Sequence, residues 1–529
     1  VKAAQSVDES KTGAVAMPTD AGAGNDIETE LKLDVPPRLA AKVLAHRVFR
    51  SRGSGRWVRS RLLGVYYDTP QFDLWHARIS VRLRRSPSGW VQTIKWAGGA
   101  LGGLHQRNEL EWAMPDQTLS FQRIEQRAGL DVLCDERLQR KLKPVFVTDF
   151  ERSARMITLR DGSRVEASLD RGRIVCGTTA HPICELELEL KGGLPWGLFD
   201  VSAALMADLS VRPAHRSKAE RGYLLAGLAS VPSKGRRVEL PALADVPGAV
   251  AMFVASGLEQ IQANEHGMLG GDDIEYLHQM RVGLRRLRSC LSAFGSAMPK
   301  AEIDALRGEL RWLAGRLGPA RDWDVFLEES LPVLLDGLEG VASTEDLTAL
   351  AQAAHVLKGR AAIGARTALK SRRTSALLLA LGRMAAGGGV LADPAVVKVP
   401  LADYGPGLLD RRVESVLRRG KKARKRGTVA QLHELRIAVK KLRYAAEFVG
   451  EALADKERVR TYHETLAKLQ TCLGRICDAA AMTHRVDEAV PDRVVLVASV
   501  RGWSACAVHT QRRRLRALWR DFRKTERFW

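Results

Sequence analysis

Charged side chains recur at every second position in four stretches of the first half of the chain, and a fifth stretch carries a single lysine. Glu28, Glu30 and Lys32 alternate with Thr29, Leu31 and Leu33. Arg82 and Arg84 alternate with Val81 and Leu83, and Lys95 lies in the run Val91–Trp96. Arg107, Glu109 and Glu111 share one parity, with Leu110 and Trp112 on the other. Glu185, Glu187, Glu189 and Lys191 alternate with Leu186, Leu188 and Leu190. Successive side chains of a strand point to opposite faces, so each stretch reads as a strand with a charged and an apolar face. Carboxylates suit hard divalent cations, and guanidinium and ammonium groups suit phosphate oxygens. A single such strand would also fit a sheet with its charges in water. Glu doublets on separate strands, with Arg and Lys on others, favour a closed barrel with the charges inside.

The second half repeats itself. His278-Gln279-Met280-Arg281-Val282-Gly283-Leu284-Arg285-Arg286-Leu287-Arg288 is matched by His433-Glu434-Leu435-Arg436-Ile437-Ala438-Val439-Lys440-Lys441-Leu442-Arg443. Leu317-Gly318-Pro319-Ala320-Arg321-Asp322 is matched by Leu473-Gly474-Arg475-Ile476-Cys477-Asp478. His278 and Gly318 are 40 residues apart, His433 and Gly474 are 41 apart. Such a duplication predicts two similar helical bundles. At roughly 100° per residue, Met280, Leu284, Leu287 and Leu291 form one stripe. His278, Arg281, Arg285 and Arg288 form a second beside it. The other segment sets Leu435, Val439, Leu442 and Ala446 against His433, Arg436, Lys440 and Arg443. One basic row alone reads as a solvated face. Two related rows facing each other across a pseudo-twofold axis repel unless an anion lies between them. Either histidine is equally a satisfied core residue, and neither has a zinc partner at ligand spacing. The dense basic run Arg418 to Arg426 reads as a solvated loop without a specific role.

These residues need two kinds of scaffold. From Ile27 to about Leu225 the period is two, and from about Gly248 it is helical. The boundary falls near Val231 to Val246, with prolines, a glycine and basic residues. The expected organisation is a disordered tail at 1–26, a strand-rich domain at 27–225, a linker at 226–246 and an all-helical domain at 247–529. Its repeats fall at about 250–390 and 402–529, and the whole is an α+β chain. A length of 529 residues with 45% hydrophobic content suffices for two or more domains. A net charge of +22 favours a polyanionic partner. The basic rows carry few aromatics for base stacking, which makes nucleic acid an unlikely partner. Seven scattered cysteines without a CxxC pair indicate neither zinc nor a disulfide framework, and a reduced cytoplasm is the simplest compartment. No apolar run is expected to span a bilayer, and the start lacks the order of a signal peptide.

In the first half, the ordered motifs resemble the CYTH family, the triphosphate tunnel metalloenzymes. They are Glu28-Thr29-Glu30-Leu31-Lys32, Tyr66-Tyr67-Asp68-Thr69-Pro70, Val81-Arg82-Leu83-Arg84-Arg85, Gln92-Thr93-Ile94-Lys95, Arg107-x-Glu109-x-Glu111, Asp170, Glu185-Leu186-Glu187-Leu188-Glu189 and Ser217-Lys218-Ala219-Glu220-Arg221. The resemblance implies an eight-stranded antiparallel tunnel with flanking helices, working on a triphosphate with Mg²⁺ or Mn²⁺. It implies metal carboxylates at Glu28, Glu30, Glu109, Glu111, Asp170, Glu185 and Glu187. It implies a catalytic phosphate path of Lys32, Arg82, Arg84, Lys95, Arg107 and Arg152, with Lys191 and Lys218 binding substrate. Arg155 has the opposite parity to Arg152, and Arg152 is preferred as the inward one.

The second half, from about Pro247 to Trp529, resembles the CHAD domain, with Arg321-Asp322-Trp323-Asp324 and the closing Phe528-Trp529 in its pattern. This implies an all-helical polyphosphate-binding module, sometimes found at polyphosphate granules, with the two basic rows as its site. The expected function is hydrolysis of inorganic tripolyphosphate with binding of long-chain polyphosphate. The alternatives are a non-catalytic granule-associated binding protein, a thiamine triphosphatase or an adenylyl cyclase.

Overall fold

The computed structural model describes residues 27–50, 55–124, 127–241 and 243–529. The expected tail at 1–26 lies outside the described residues. The chain divides into two compact units, Val1–Ser230 and Val231–Trp529.

The first unit is built on β1 (Ile27–Asp34), β2 (Val58–Asp68), β3 (Ile79–Ser86), β4 (Gly89–Leu101), β5 (Leu104–Met114), β6 (Lys143–Thr158), β7 (Arg164–Cys176) and β8 (Thr179–Gly192). The order β5-β4-β3-β2-β6-β7-β8-β1, with β1 also pairing β5, closes an eight-stranded antiparallel barrel. A two-residue strand, Arg212–Pro213, adds to the free end of β1. Register sets the charged faces against one another. Lys32 lies opposite Glu187, Arg152 opposite Asp170, Asp170 opposite Glu185 and Lys95 opposite Glu109. Directly opposed residues share a face, so all of these line one lumen.

The opposite parity is apolar and covered from outside. Leu31, Leu33, Ala167, Leu169, Leu186 and Leu188 are fully buried. Helix α1 (Trp196–Asp208) packs on β1 and β8 and brings Leu198, Phe199, Val201 and Leu205. Across the barrel, Ile79, Val81, Ile94, Trp96 and Trp112 pack with Leu74, Ile124, Leu130 and Leu133. Full burial of such a side chain contributes about 1.5–3 kcal/mol, which explains why a barrel with a charged interior can close.

One end of the lumen is filled. Helix α2 (Lys218–Leu225) brings Ala219 and Tyr223 into a cluster with Leu62, Tyr66, Phe146, Phe150, Ile174 and Ile183. Those strand residues have the lumen parity of Arg152, Asp170 and Glu185, so α2 plugs the barrel. The approach is close: a Cβ on Gly222 would lie 2.2 Å from the Phe146 ring. The Tyr223 hydroxyl donates to Asp68 (2.8 Å), which also accepts from the backbone N–H groups of Thr69, Leu74 and Trp75. The Tyr-Asp-Thr-Pro motif therefore anchors the plug.

The second unit is helical: α3 (Val246–Gly270), α4 (Ile274–Phe294), α5 (Lys300–Val325), α6 (Thr344–Leu369), α7 (Arg372–Ala385), α8 (Leu401–Arg426), α9 (Val429–Leu453), α10 (Lys456–Ala489) and α11 (Val494–Lys524). Asp245, Asp273, Ser343, Ser371, Thr428 and Asp455 cap N-termini by accepting backbone N–H bonds. Helices α3–α6 correspond in order to α8–α11, with α7 inserted between the repeats. Both predicted apolar stripes are buried. Phe528 packs on Tyr462, and Trp529 Nε1 donates to Asp410 (3.0 Å), tying down the end of the chain. The segment Arg372–Ala392 has a mean hydropathy of 1.5 and meets the length and composition of a membrane span, a test that a buried core segment also meets. Its helix ends at Ala385, and 67% of the apolar window is buried in this unit, so it packs as part of the core.

Candidate functional site

Three of the predicted metal carboxylates converge. Asp170, Glu185 and Glu187 are buried on β7 and β8, with potential ligand oxygens within 4.8 Å of one another. No other such cluster occurs among the described residues. Four cations surround it. Lys218 Nζ lies 2.7 Å from Asp170 and 2.9 Å from Glu187 and also contacts Glu185. Arg152 makes a two-pronged pair with Asp170 (both 2.7 Å) and reaches Glu187. Arg221 pairs with Glu185, and Lys32 bridges Glu187 and Glu30, the latter at 2.7 Å. Burial alone would push Glu187 up, but Lys218, Lys32 and Arg152 outweigh it and hold the carboxyl well below its usual range. Burial likewise opposes the charged form of Lys32, and Glu187 and Glu30 raise it.

The other predicted carboxylates are not part of that cluster. Glu28 and Glu109 share Lys95, the second at 3.3 Å. Glu111 accepts from Arg84 (3.0 Å) and from the Thr93 hydroxyl (3.0 Å). Arg82 donates to Thr93 and lies over the Tyr66 ring. Arg84 is lowered by its neighbour Arg82 and by burial, against the pull of Glu111. Lys191 pairs with Glu189 at an exposed position. Arg107 lies opposite Glu28 on β5, and its charge reaches Glu220 of α2.

In the helical unit the repeat is reproduced in its contacts. Arg281 lies 3.7 Å from Asp322, and Arg436 lies 3.7 Å from Asp478. Gly318 and Gly474 sit beneath these guanidinium groups, each with an arginine nitrogen within 4 Å of where a Cβ would be. The two basic rows meet where α4 packs on α9: Arg285 Nε donates to Tyr444 at 2.7 Å. Burial, then Arg436 and Arg285, push Lys440 down to about 8. Burial also lowers His278, Arg281 and Arg288, with basic neighbours adding to it. His433 is exposed.

Family models match at both halves, one for the CYTH domain over residues 26–223 and one for the CHAD domain over residues 253–487. The chain carries a CYTH domain followed by a CHAD domain. A curated protein of Haemophilus influenzae called inorganic triphosphatase is 30% identical over 200 residues, which are 37% of this chain and 54% of that protein. The chain thus matches only about half the length of that relative. A CHAD domain structure from the plant Ricinus communis is 30% identical, covering 55% of this chain and 96% of that one, with a TM-score of 0.47. A putative adenylyl cyclase from Hippeastrum, described as having a dominant triphosphatase activity, is 13% identical. It covers 38% of this chain and 96% of that one, with a TM-score of 0.28.

Two lumen residues of the CYTH domain escaped the sequence reading. Arg221 reaches Glu185 from the same helical motif as Lys218, three residues on, and that i,i+3 spacing was the available signal. His105 lies opposite Glu30 and bonds to the Ala214 carbonyl through Nε2 (2.9 Å). Burial, then Lys32, push its ring down to about 3. Its parity with Arg107 marked it as inward, but nothing in the sequence told of its enclosure.

Proposed function

We propose that the CYTH domain hydrolyses inorganic tripolyphosphate with Mg²⁺ or Mn²⁺ and that the CHAD domain binds long-chain polyphosphate. The observation that carries the first part is the convergence of Asp170, Glu185 and Glu187 in a lumen ringed by Lys32, Arg82, Arg84, Lys95 and Arg152. Three carboxylates without sulfur or imidazole suit a hard cation. A divalent cation held there would neutralise the phosphoryl oxygens as they gain charge. Arg82, Arg84 and Arg152 would orient the phosphates, since guanidinium matches two oxygens at once. Lys32 and Lys95 are held charged by Glu187 and Glu28 against the effect of burial, so they donate hydrogen bonds and do not take protons. Glu28, Glu30, Glu109 and Glu111 would serve as internal counter-ions that the phosphates displace. With α2 in one end, a chain enters by the other, near Lys191.

The lumen aromatics Tyr66, Phe146 and Phe150 are packed into the plug with Tyr223. This leaves them unavailable to stack a base and favours a triphosphate without one. The Haemophilus relative's name agrees. For the CHAD domain, the supporting observation is that its facing cations are lowered by burial and by one another, a repulsion that a bound anion would offset. The test is phosphate release from tripolyphosphate, ATP and thiamine triphosphate with each metal. Tripolyphosphate should turn over fastest. Faster turnover of ATP, or release of cyclic AMP, would overturn the substrate assignment.

A further inference from the structure

The lumen holds a cation of its own at the centre of the acidic cluster. Lys218 Nζ contacts Asp170 (2.7 Å), Glu187 (2.9 Å) and Glu185. Arg152 reaches only Asp170 and Glu187 of the three, Arg221 only Glu185, and Lys32 only Glu187. An atom that touches all three carboxylates stands where a shared metal ion must stand, because the three oxygens lie within 4.8 Å of one another. We propose that Lys218 is an exchangeable counter-ion. It keeps divalent metal out of the empty tunnel and releases the carboxylates only when a triphosphate draws its ammonium away, so metal and triphosphate load cooperatively. This rests on the metal-dependent reading of the tunnel given above.

The surroundings favour exchange over simple crowding. The backbone of Lys218 is fixed, since α2 is clamped by Tyr223 on Asp68 and by Ala219 in the aromatic cluster. The movement falls to the flexible four-carbon side chain, whose ammonium is a compact charge able to change partners. Leaving the carboxylates without a cation is costly in a buried site, and so is an ammonium without an anion. Each loss is offset only if metal and phosphate arrive together: the metal replaces the ammonium on the carboxylates, and phosphate oxygens replace the carboxylates on the ammonium. Coupling of this kind is reciprocal, so triphosphate must raise metal affinity by the factor by which metal raises triphosphate affinity.

The test is calorimetric binding of Mn²⁺ to the full chain, wild type and Lys218→Met, with and without the non-hydrolysable imidotriphosphate. Without the anion, Lys218→Met should bind Mn²⁺ about tenfold more tightly than wild type, within the usual range of coupling. Imidotriphosphate should tighten Mn²⁺ binding more in wild type than in the variant, because chelation by the anion itself is common to both. Lys218→Gln, which keeps a polar group in place, is the second variant should the first not fold. Equal Mn²⁺ affinities with equal gains from the anion would overturn the role of Lys218 and leave the metal reading standing. Absence of saturable Mn²⁺ binding under every condition would overturn both.

Discussion

Lys218 and Lys440 are both largely enclosed ammonium groups, and their neighbours pull them in opposite directions. Burial disfavours the charge of Lys218, but Asp170, Glu185 and Glu187 overcome it and raise the group. Lys440 has burial against it and then Arg436 and Arg285, with Asp478 too weak to compensate, and falls to about 8. A polyanion would restore its charge. Below about pH 8 the group is already protonated, so binding there is insensitive to it. Between about 8 and its ordinary value of 10.5, binding must take up a proton, and affinity falls by as much as about tenfold per pH unit. Polyphosphate titrations from pH 7 to 10 should show this loss, and Lys440→Arg should flatten it, because guanidinium stays charged. A variant with the slope of the parent would locate the titrating group elsewhere. In the tunnel, Glu187→Gln removes the carboxylate shared by Lys32, Arg152 and Lys218. Tripolyphosphatase turnover should drop by about 100-fold or more, the upper end of what loss of a group merely supporting a metal site costs. Retained turnover, with Mn²⁺ affinity unchanged, would remove Glu187 from the metal site.

At the scale of elements, parity was legible and register was not. Alternation marked which face of β1, β3, β5 and β8 is charged, because a strand's side chains have period two. Whether Glu30 or Glu185 stands level with Asp170 depends on how far each strand slides along its neighbour, and that is set by turns and by the outer apolar layer. Hence seven candidate carboxylates were drawn from the sequence and three cluster in space. The repeats of α4 and α9 were legible because the duplication preserved both stripe and basic row. The plug was not: Ser217 to Leu225 reads as a short capped helix, and its anchor Asp68 lies 155 residues from Tyr223. Packing gives the plug its test. Gly222→Leu would drive a side chain into the Phe146 ring, where even a Cβ would sit 2.2 Å away. Such overpacking costs typically about 1–3 kcal/mol. Urea unfolding followed by Tyr and Trp fluorescence should show the loss, and turnover should fall with it as Lys218 and Arg221 lose their positions. Wild-type stability in this variant would mean that α2 does not fill the lumen.

Over the whole molecule, a net charge of +22 sets the background field, but the two units use their cations differently. In the CYTH domain most lumen cations have carboxylate partners, so the charges of the tunnel wall are internally balanced. In the CHAD domain the rows of α4 and α9 face each other with Arg281 on Asp322 and Arg436 on Asp478, each at 3.7 Å, so an added anion would relieve their repulsion. Polyphosphate is a flexible string of closely spaced charges, and engaging both rows at once raises affinity through effective concentration. Neutralising each phosphate releases counterions; for nucleic acids the log–log slope on salt is roughly −0.7 to −0.9 per phosphate. The full chain should therefore bind long-chain polyphosphate with a steep salt dependence. Replacing Arg281, Arg285 and Arg288 by Gln should weaken binding and make the slope shallower by about two to three units, one per lost contact. Replacing Arg436, Lys440 and Arg443 should do the same. DNA or RNA of equal charge concentration should displace polyphosphate poorly, because the rows have few aromatics for base stacking. Parent-like binding and slope in both triple variants would make the rows solvated faces, and ready displacement by nucleic acid would make this a general polyanion surface.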